Sequence, residues 1–156
     1  MSSVLTPVSF TKNASEVAIN LRSIPIAGYA LALVLTMTSL TAAAQLAGSE
    51  WRPTEIGNIE VPAGSQMFVG FGGEGKVVGH GGCNRFFGTY NLTGISIEIG
   101  ALGTTRMACP EPVMEREVRF LQALEDARQL ARDGINMSLT DDAGNPLVRL
   151  LQTDAD

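Results

Sequence analysis

Gly79-His80-Gly81-Gly82-Cys83-Asn84-Arg85-Phe86-Phe87-Gly88-Thr89-Tyr90 is the stretch from which the fold of this 156-residue chain is read. Gly79, Gly81, Gly82 and Gly88 say that the backbone here turns through conformations a Cβ would forbid, or passes close to another segment. A shorter echo follows in Gly103-Thr104-Thr105-Arg106-Met107-Ala108-Cys109. Between them the two blocks hold both cysteines and the only histidine of the chain.

Outward from these blocks, short apolar runs alternate with turn chemistry. Gln66–Phe71 and Lys76–His80 flank the glycine-rich loop Gly72-Gly73-Glu74-Gly75, which reads as a hairpin. Thr89–Leu92 and Ile95–Ile99 flank Thr93-Gly94, and the second run alternates strictly, so Ile95, Ile97 and Ile99 are expected to face the core. Trp51–Ile56 reads as a first strand. Ile135, Met137 and Leu139, then Leu147, Val148, Leu150 and Leu151, read as a closing hairpin around Asp141–Asn145.

One segment has a different period. Pro110-Glu111-Pro112 suits a helix entrance, and Glu111, Glu115 and Glu117 load its positive end with carboxylates. Val118, Leu121, Leu124, Ala127 and Ala131 recur at helical steps, with Phe120 and Leu130 widening the face. The expectation is a helix from about Pro112 to Arg132, stopped by Asp133-Gly134. Strands joined by short turns imply antiparallel pairing, since parallel neighbours need long crossovers. The fold class is therefore mainly β with one helix: an antiparallel, barrel-like sheet covered by a single α-helix.

The front of the chain is different in kind. Ile24–Ala44 carries no charge, and Ala42 and Ala44 fit a small-residue cleavage pattern. Residues 1–44 are expected to be a signal peptide cut between Ala44 and Gln45, with a retained anchor or a buried core helix as the other readings. Leu46-Ala47-Gly48-Ser49 would be a lipidation box if it ended in cysteine; Ser49 offers no thiol to acylate. Residues 45–156 carry nine basic and fifteen acidic side chains, a net charge of −6. Such a domain has no attraction for phosphate backbones, so nucleic acid is not an expected partner. Contact with a membrane is expected only through an uncleaved N-terminal segment.

Leu46–Trp51, then Gly82-Cys83-Asn84-Arg85-Phe86-Phe87-Gly88-Thr89-Tyr90, then Gly103–Cys109 together resemble the META domain, the HslJ-like family of small bacterial envelope proteins. Glu117–Leu124 and the Leu139–Gly144 turn fit it as well, and the likeness covers residues 46 to about 151. The resemblance implies a barrel-like fold with a packed helix, a periplasmic or secreted location, and an association with heat or envelope stress. It carries over no catalytic residues and no cofactor. Its motif positions here are Gly82, Asn84, Arg85, Phe86, Gly88, Tyr90, Thr105 and Arg106.

Cys83 and Cys109 admit four readings. They form a disulfide in an oxidising compartment, or stay as two buried thiols. Alternatively they bind zinc with His80, at a spacing that matches no finger pattern, or one acts as a nucleophile with His80 as base. The Gly70–Gly75 run imitates a nucleotide loop, but Lys76 begins a strand where a helix is needed. Arg85 and Arg106 are candidates to pair with carboxylates, and Phe86, Phe87 and Tyr90 to fill the core or its rim. Asn91-Leu92-Thr93 and Asn136-Met137-Ser138 match a glycosylation sequon that is short enough to arise idly. No metal site is expected. The resulting expectation is a non-enzymatic exported protein that binds an envelope protein or an apolar ligand on its barrel. The alternative is a thiol-dependent enzyme or redox-active protein using Cys83 and Cys109.

Overall fold

In the computed structural model, residues 46–153 are described. The expected cleavage site and the apolar run before it lie outside them. The described chain forms an antiparallel sheet closed into a barrel. Its strands are β1 (Ser49–Ile56), β2 (Ile59–Glu60), β3 (Phe68–Phe71), β4 (Lys76–His80), β5 (Arg85–Thr93) and β6 (Ser96–Ile99). Then come β7 (Gly103–Thr104), the helix α1 (Glu111–Glu125), β8 (Gln129–Asp133), β9 (Asn136–Thr140) and β10 (Pro146–Thr153). The order around the barrel is β10-β9-β8-β6-β5-β4-β3-β1, and β1 pairs back onto β10, so eight strands close the ring. β2 extends β1 at one rim, and β7 adds to β5 beside β6.

Period-two alternation explains the wall. β5 buries Phe86, Tyr90 and Leu92 while Arg85, Phe87 and Thr89 face outward. The interior is filled by Trp51, Phe71, Val69, Val77, Ile97, Leu139, Val148 and Leu150, with Phe120 and Leu124 of α1 packed among them. An eight-stranded barrel is about as wide as its own side chains can fill. Pro53 lies at a register shift of β1 against β10, where a residue without an N–H is tolerated.

The helix is shorter than its periodicity predicts, and this corrects the sequence reading. It ends at Glu125, and Leu130, Ala131 and Arg132 belong to β8, paired with Leu139, Ser138 and Met137 of β9. Closing the barrel needs a strand between β6 and β9, and that pairing overrides local helix preference. The phase also differs. Val118 is 62% exposed, whereas Glu117, Phe120, Ala123 and Leu124 are buried and Leu121 only partly so.

Asp133-Gly134 is a hairpin turn and does not stop a helix. Gly134, at φ 58°, leads a two-residue loop whose second residue is Ile135. Gly94, at φ 62°, does the same before Ile95. Glycine in first place suits such loops, and it leaves both isoleucines outside the ladder. Ile95 and Ile135 are therefore 66% and 60% exposed, contrary to the expectation that Ile95 faces the core.

Candidate functional site

The two blocks of sequence meet at one corner of the barrel. Cys83 and Cys109 are joined by a disulfide, with their Cα atoms 5.9 Å apart. The bond ties the turn between β4 and β5 to the segment entering α1. Of the four readings of the cysteines, this is the one the structure contains. Both sulfurs are committed to each other, so neither is available to a zinc ion or as a nucleophile in this state.

Beside the disulfide, and inside the protein, lies a carboxylate that the sequence reading uses only to load the positive end of the helix. Glu117 is 6% exposed. Its Oε2 accepts the backbone N–H groups of Cys83 (3.0 Å) and Asn84 (2.6 Å), and its Oε1 accepts from Asn84 Nδ2 (2.7 Å). Asn84, 7% exposed, is the hub: its Oδ1 accepts from Thr105 Oγ1 (2.9 Å) and from the Met107 N–H (2.7 Å). Thr105 Oγ1 in turn accepts the Arg85 N–H at 3.2 Å. Among the described residues no buried side-chain nitrogen or oxygen lacks a partner. A buried charge is tolerable only when so paired.

The glycines of the motif make room for this corner. A Cβ on Gly81 would lie 2.4 Å from Cγ of Glu117, so any larger residue would push the carboxylate away. Gly82 turns the chain at φ 108°, and its N–H donates to Nδ1 of His80 at 3.0 Å. His80 thus ends β4 as a half-buried acceptor in the turn. The carboxylate was legible in principle: Val113, Glu117, Phe120 and Leu124 share one helical stripe, with an acid among apolar residues.

The tandem phenylalanines part company. Phe86 points inward, edge to face with Phe120 at 6.0 Å, over Gly79, where a Cβ would come within 2.3 Å of the ring. Phe87 points outward and lies on Gly103 of β7, where a Cβ would meet its Cζ at 2.8 Å. Phe87 remains 61% exposed. Tyr90 packs edge to face with Phe71 at 5.1 Å, and its hydroxyl donates to the Gly72 carbonyl at 3.1 Å. Burial pushes the Tyr90 phenol above its ordinary value. Gly88 lets Leu102 approach β5. Arg85 and Arg106 are exposed, and neither forms an ion pair with the described residues, so the expected pairing with carboxylates is not found there. Ser49, where a lipid-anchored chain would need cysteine, accepts from Trp51 Nε1 at 2.7 Å and donates to the Leu46 carbonyl.

Clefts of modest size open on the surface. One of about 170 Å³ lies between the β1–β2 rim and α1, lined by Ile56, Ile59, Val61, Pro112, Arg116 and Arg119. A neighbour of about 280 Å³ opens on the other side of Ile59. Both fall below the usual range of small-molecule pockets, roughly 300–1,000 Å³, and a third, of about 320 Å³ and lined by Thr54, Arg132, Asn136, Met137, Ser138 and Arg149, lies at its lower end.

A small closed barrel, stapled at one corner and bearing a helix against its strands, defines a class of compact all-antiparallel domains. The family model of the META domain matches residues 44–154, and the chain belongs to that family. Solved structures share the fold. A protein from Burkholderia xenovorans solved by NMR is 24% identical, with a TM-score of 0.59 over 73% of this chain and 88% of its own. A second NMR structure is 19% identical, with a TM-score of 0.59 over 72% and 95%. A crystal structure of a DUF4847 family protein from Bacteroides vulgatus is 13% identical, with a TM-score of 0.54 over 71% and 96%. No curated protein matches the sequence.

Proposed function

We propose that this META domain is a non-enzymatic binding scaffold, exported by cleavage after Ala44, that works in the periplasm or outside the cell in the response to envelope stress. The observation that carries the reading is how the family signature is used. Its reactive-looking groups, the two sulfurs, Asn84 and the Glu117 carboxylate, are all engaged in holding the corner together. What the signature supplies is rigidity at a covalent clamp, and a disulfide of this kind suits an oxidising compartment. A filled interior directs binding to the outer wall and favours a protein partner over an apolar small molecule.

Fractionation of expressing cells tests this reading directly. The expected result is an envelope or extracellular form whose N-terminus is Gln45 and whose two cysteines resist alkylation under denaturing conditions without reductant. A cytosolic protein that begins at Met1 with two alkylated thiols overturns export. A disulfide that cycles with a thiol oxidoreductase while substrate is turned over overturns the scaffold in favour of the redox reading.

A further inference from the structure

We propose that the outer wall formed by β3, β4, β5 and β7 is a docking surface for an acidic segment of another protein that carries an aromatic or aliphatic side chain. This rests on the scaffold reading and supplies the face and the partner's chemistry.

Charge favours the wall. Residues 68–106, which span the strands of the wall, hold Lys76, Arg85 and Arg106 against Glu74 and Glu98, while the rest of residues 46–153 hold six basic and eleven acidic side chains. Lys76 is engaged by Glu74 at 2.8 Å. Arg85 and Arg106 form no ion pair with the described residues. The wall that the signature motif builds thus carries a small net positive charge on a domain that is acidic as a whole.

Register places apolar surface beside those cations. Phe68, His80 and Arg85 pair in one row across β3, β4 and β5. Gly70, Val78, Phe87 and Gly103 pair in the next row across β3, β4, β5 and β7. Val78 and Phe87 are 52% and 61% exposed. One side of the Phe87 ring rests on Gly103, which holds the ring ready, so that little rotamer freedom is lost on contact. Arg85 and Phe87 are i, i+2 neighbours on one face of β5, matching the side-chain repeat of an extended partner.

Other occupants fit less well. A two-fold dimer through this wall would bring four unpaired arginines, two from each copy, into one interface. An anionic bilayer or nucleic acid meets the long-range field of the acidic remainder, and two arginines neutralise few phosphates. A short acidic segment meets only the local surface, where the planar fork of arginine suits a carboxylate.

The test is fluorescence anisotropy of the purified protein with a labelled peptide of sequence Glu-Asp-Phe-Glu-Asp-Leu-Glu. The charge-reversed lysine peptide, phosphatidylglycerol vesicles and an oligothymidine serve as rival probes. Saturable binding of the acidic peptide is expected, weakened about tenfold by Arg85→Ala and by Phe87→Ala with melting temperature kept, and unchanged by Ile135→Ala. No binding, binding that survives both wall variants, or preference for a rival probe overturns the proposal. So does a dimer in sedimentation that Phe87→Ala dissociates. A photo-crosslinking amino acid placed at positions 59, 87 and 135 in cells separates this claim from the one beneath it. Crosslinks at 59 or 135 without any at 87 overturn the wall and leave the scaffold standing; silence at all three positions overturns the scaffold too.

Discussion

The signature motif splits at Asn84 into two regions that obey opposite rules. On one side the turn 81–84, the loop 105–109 and α1 bury a carboxylate and an amide whose hydrogen bonds are all made internally. On the other, Arg85 and Phe87 stand in solvent on β5, next to residues that are buried. Adjacent residues serve different masters because a strand alternates its faces. A compact motif thus specifies both a clamp and the surface the clamp stiffens. The clamp answers to stability, the wall to binding.

Glu117→Ala is the strongest way to break the contrast. It leaves the Cys83 and Asn84 N–H groups without their acceptor and Asn84 Nδ2 with only the Met107 carbonyl at 3.5 Å, at a cost of about 3–5 kcal/mol. Urea unfolding should move its midpoint far down; a variant within 1 kcal/mol, on the order of an ordinary surface change, would mean that the clamp is ornamental. Cys83→Ala combined with Cys109→Ala comes next. The bond spans a sequence separation of 26, and the chain-entropy model gives a loss of about 3.5 kcal/mol. Chemical reduction of the unaltered protein should give nearly the same midpoint; a much smaller loss would show that Glu117 alone holds the corner.

Phe87→Ala sharpens the comparison from the other side. An exposed ring should cost no more than about 0.5–1 kcal/mol on removal, far less than Phe86→Ala in the core, about 3–5 kcal/mol. Equal losses in a pairwise denaturation experiment would erase the inside–outside distinction on β5.

The smallest effect lies at the far turn. Hydrogen bonds from the side chain and backbone of Asn145 hold the Asp141 carboxyl below its ordinary value. A depressed folded value means that the contribution is present above the unfolded value, about 3.9, and is lost as pH falls through the folded one. Asp141→Asn should therefore differ slightly from the parent protein at neutral pH and converge with it in acid. A difference that grows on acidification would mean that folding raises the Asp141 carboxyl instead of lowering it.

Much of the fold was legible because alternation and turn residues are local signals. Gly72–Gly75 marks the β3–β4 hairpin and the alternating runs mark β6 and β9, whereas of β5 only Thr89–Leu92 reads as strand and its first half, Arg85–Gly88, does not. What misled was coincidence of period. Leu124, Ala127 and Leu130 continue a helical spacing across the end of α1, although Ala127 lies in the connection and Leu130 in β8. Only the need to close the barrel decides between those assignments, and closure is a long-range fact. At the corner, the cysteines and Asn84 stood out by type. Glu117 did not, because choosing Val118 for the buried stripe rotates the helix by one residue and sends the carboxylate to solvent.

The pairing of β1 with β10 has a kinetic consequence. Glu50 faces Thr153, so the first strand of the ring waits for the last. A chain delivered from its N-terminus can lay down the meander from β3 to β6 as it appears, yet the ladder edge of β1 that belongs to β10 stays unmet until Pro146–Thr153 has emerged. Contacts so distant in sequence make folding slow relative to local hairpin formation. Until then that edge is open to any other strand that passes, and how long the chain spends in this state sets its exposure to aggregation.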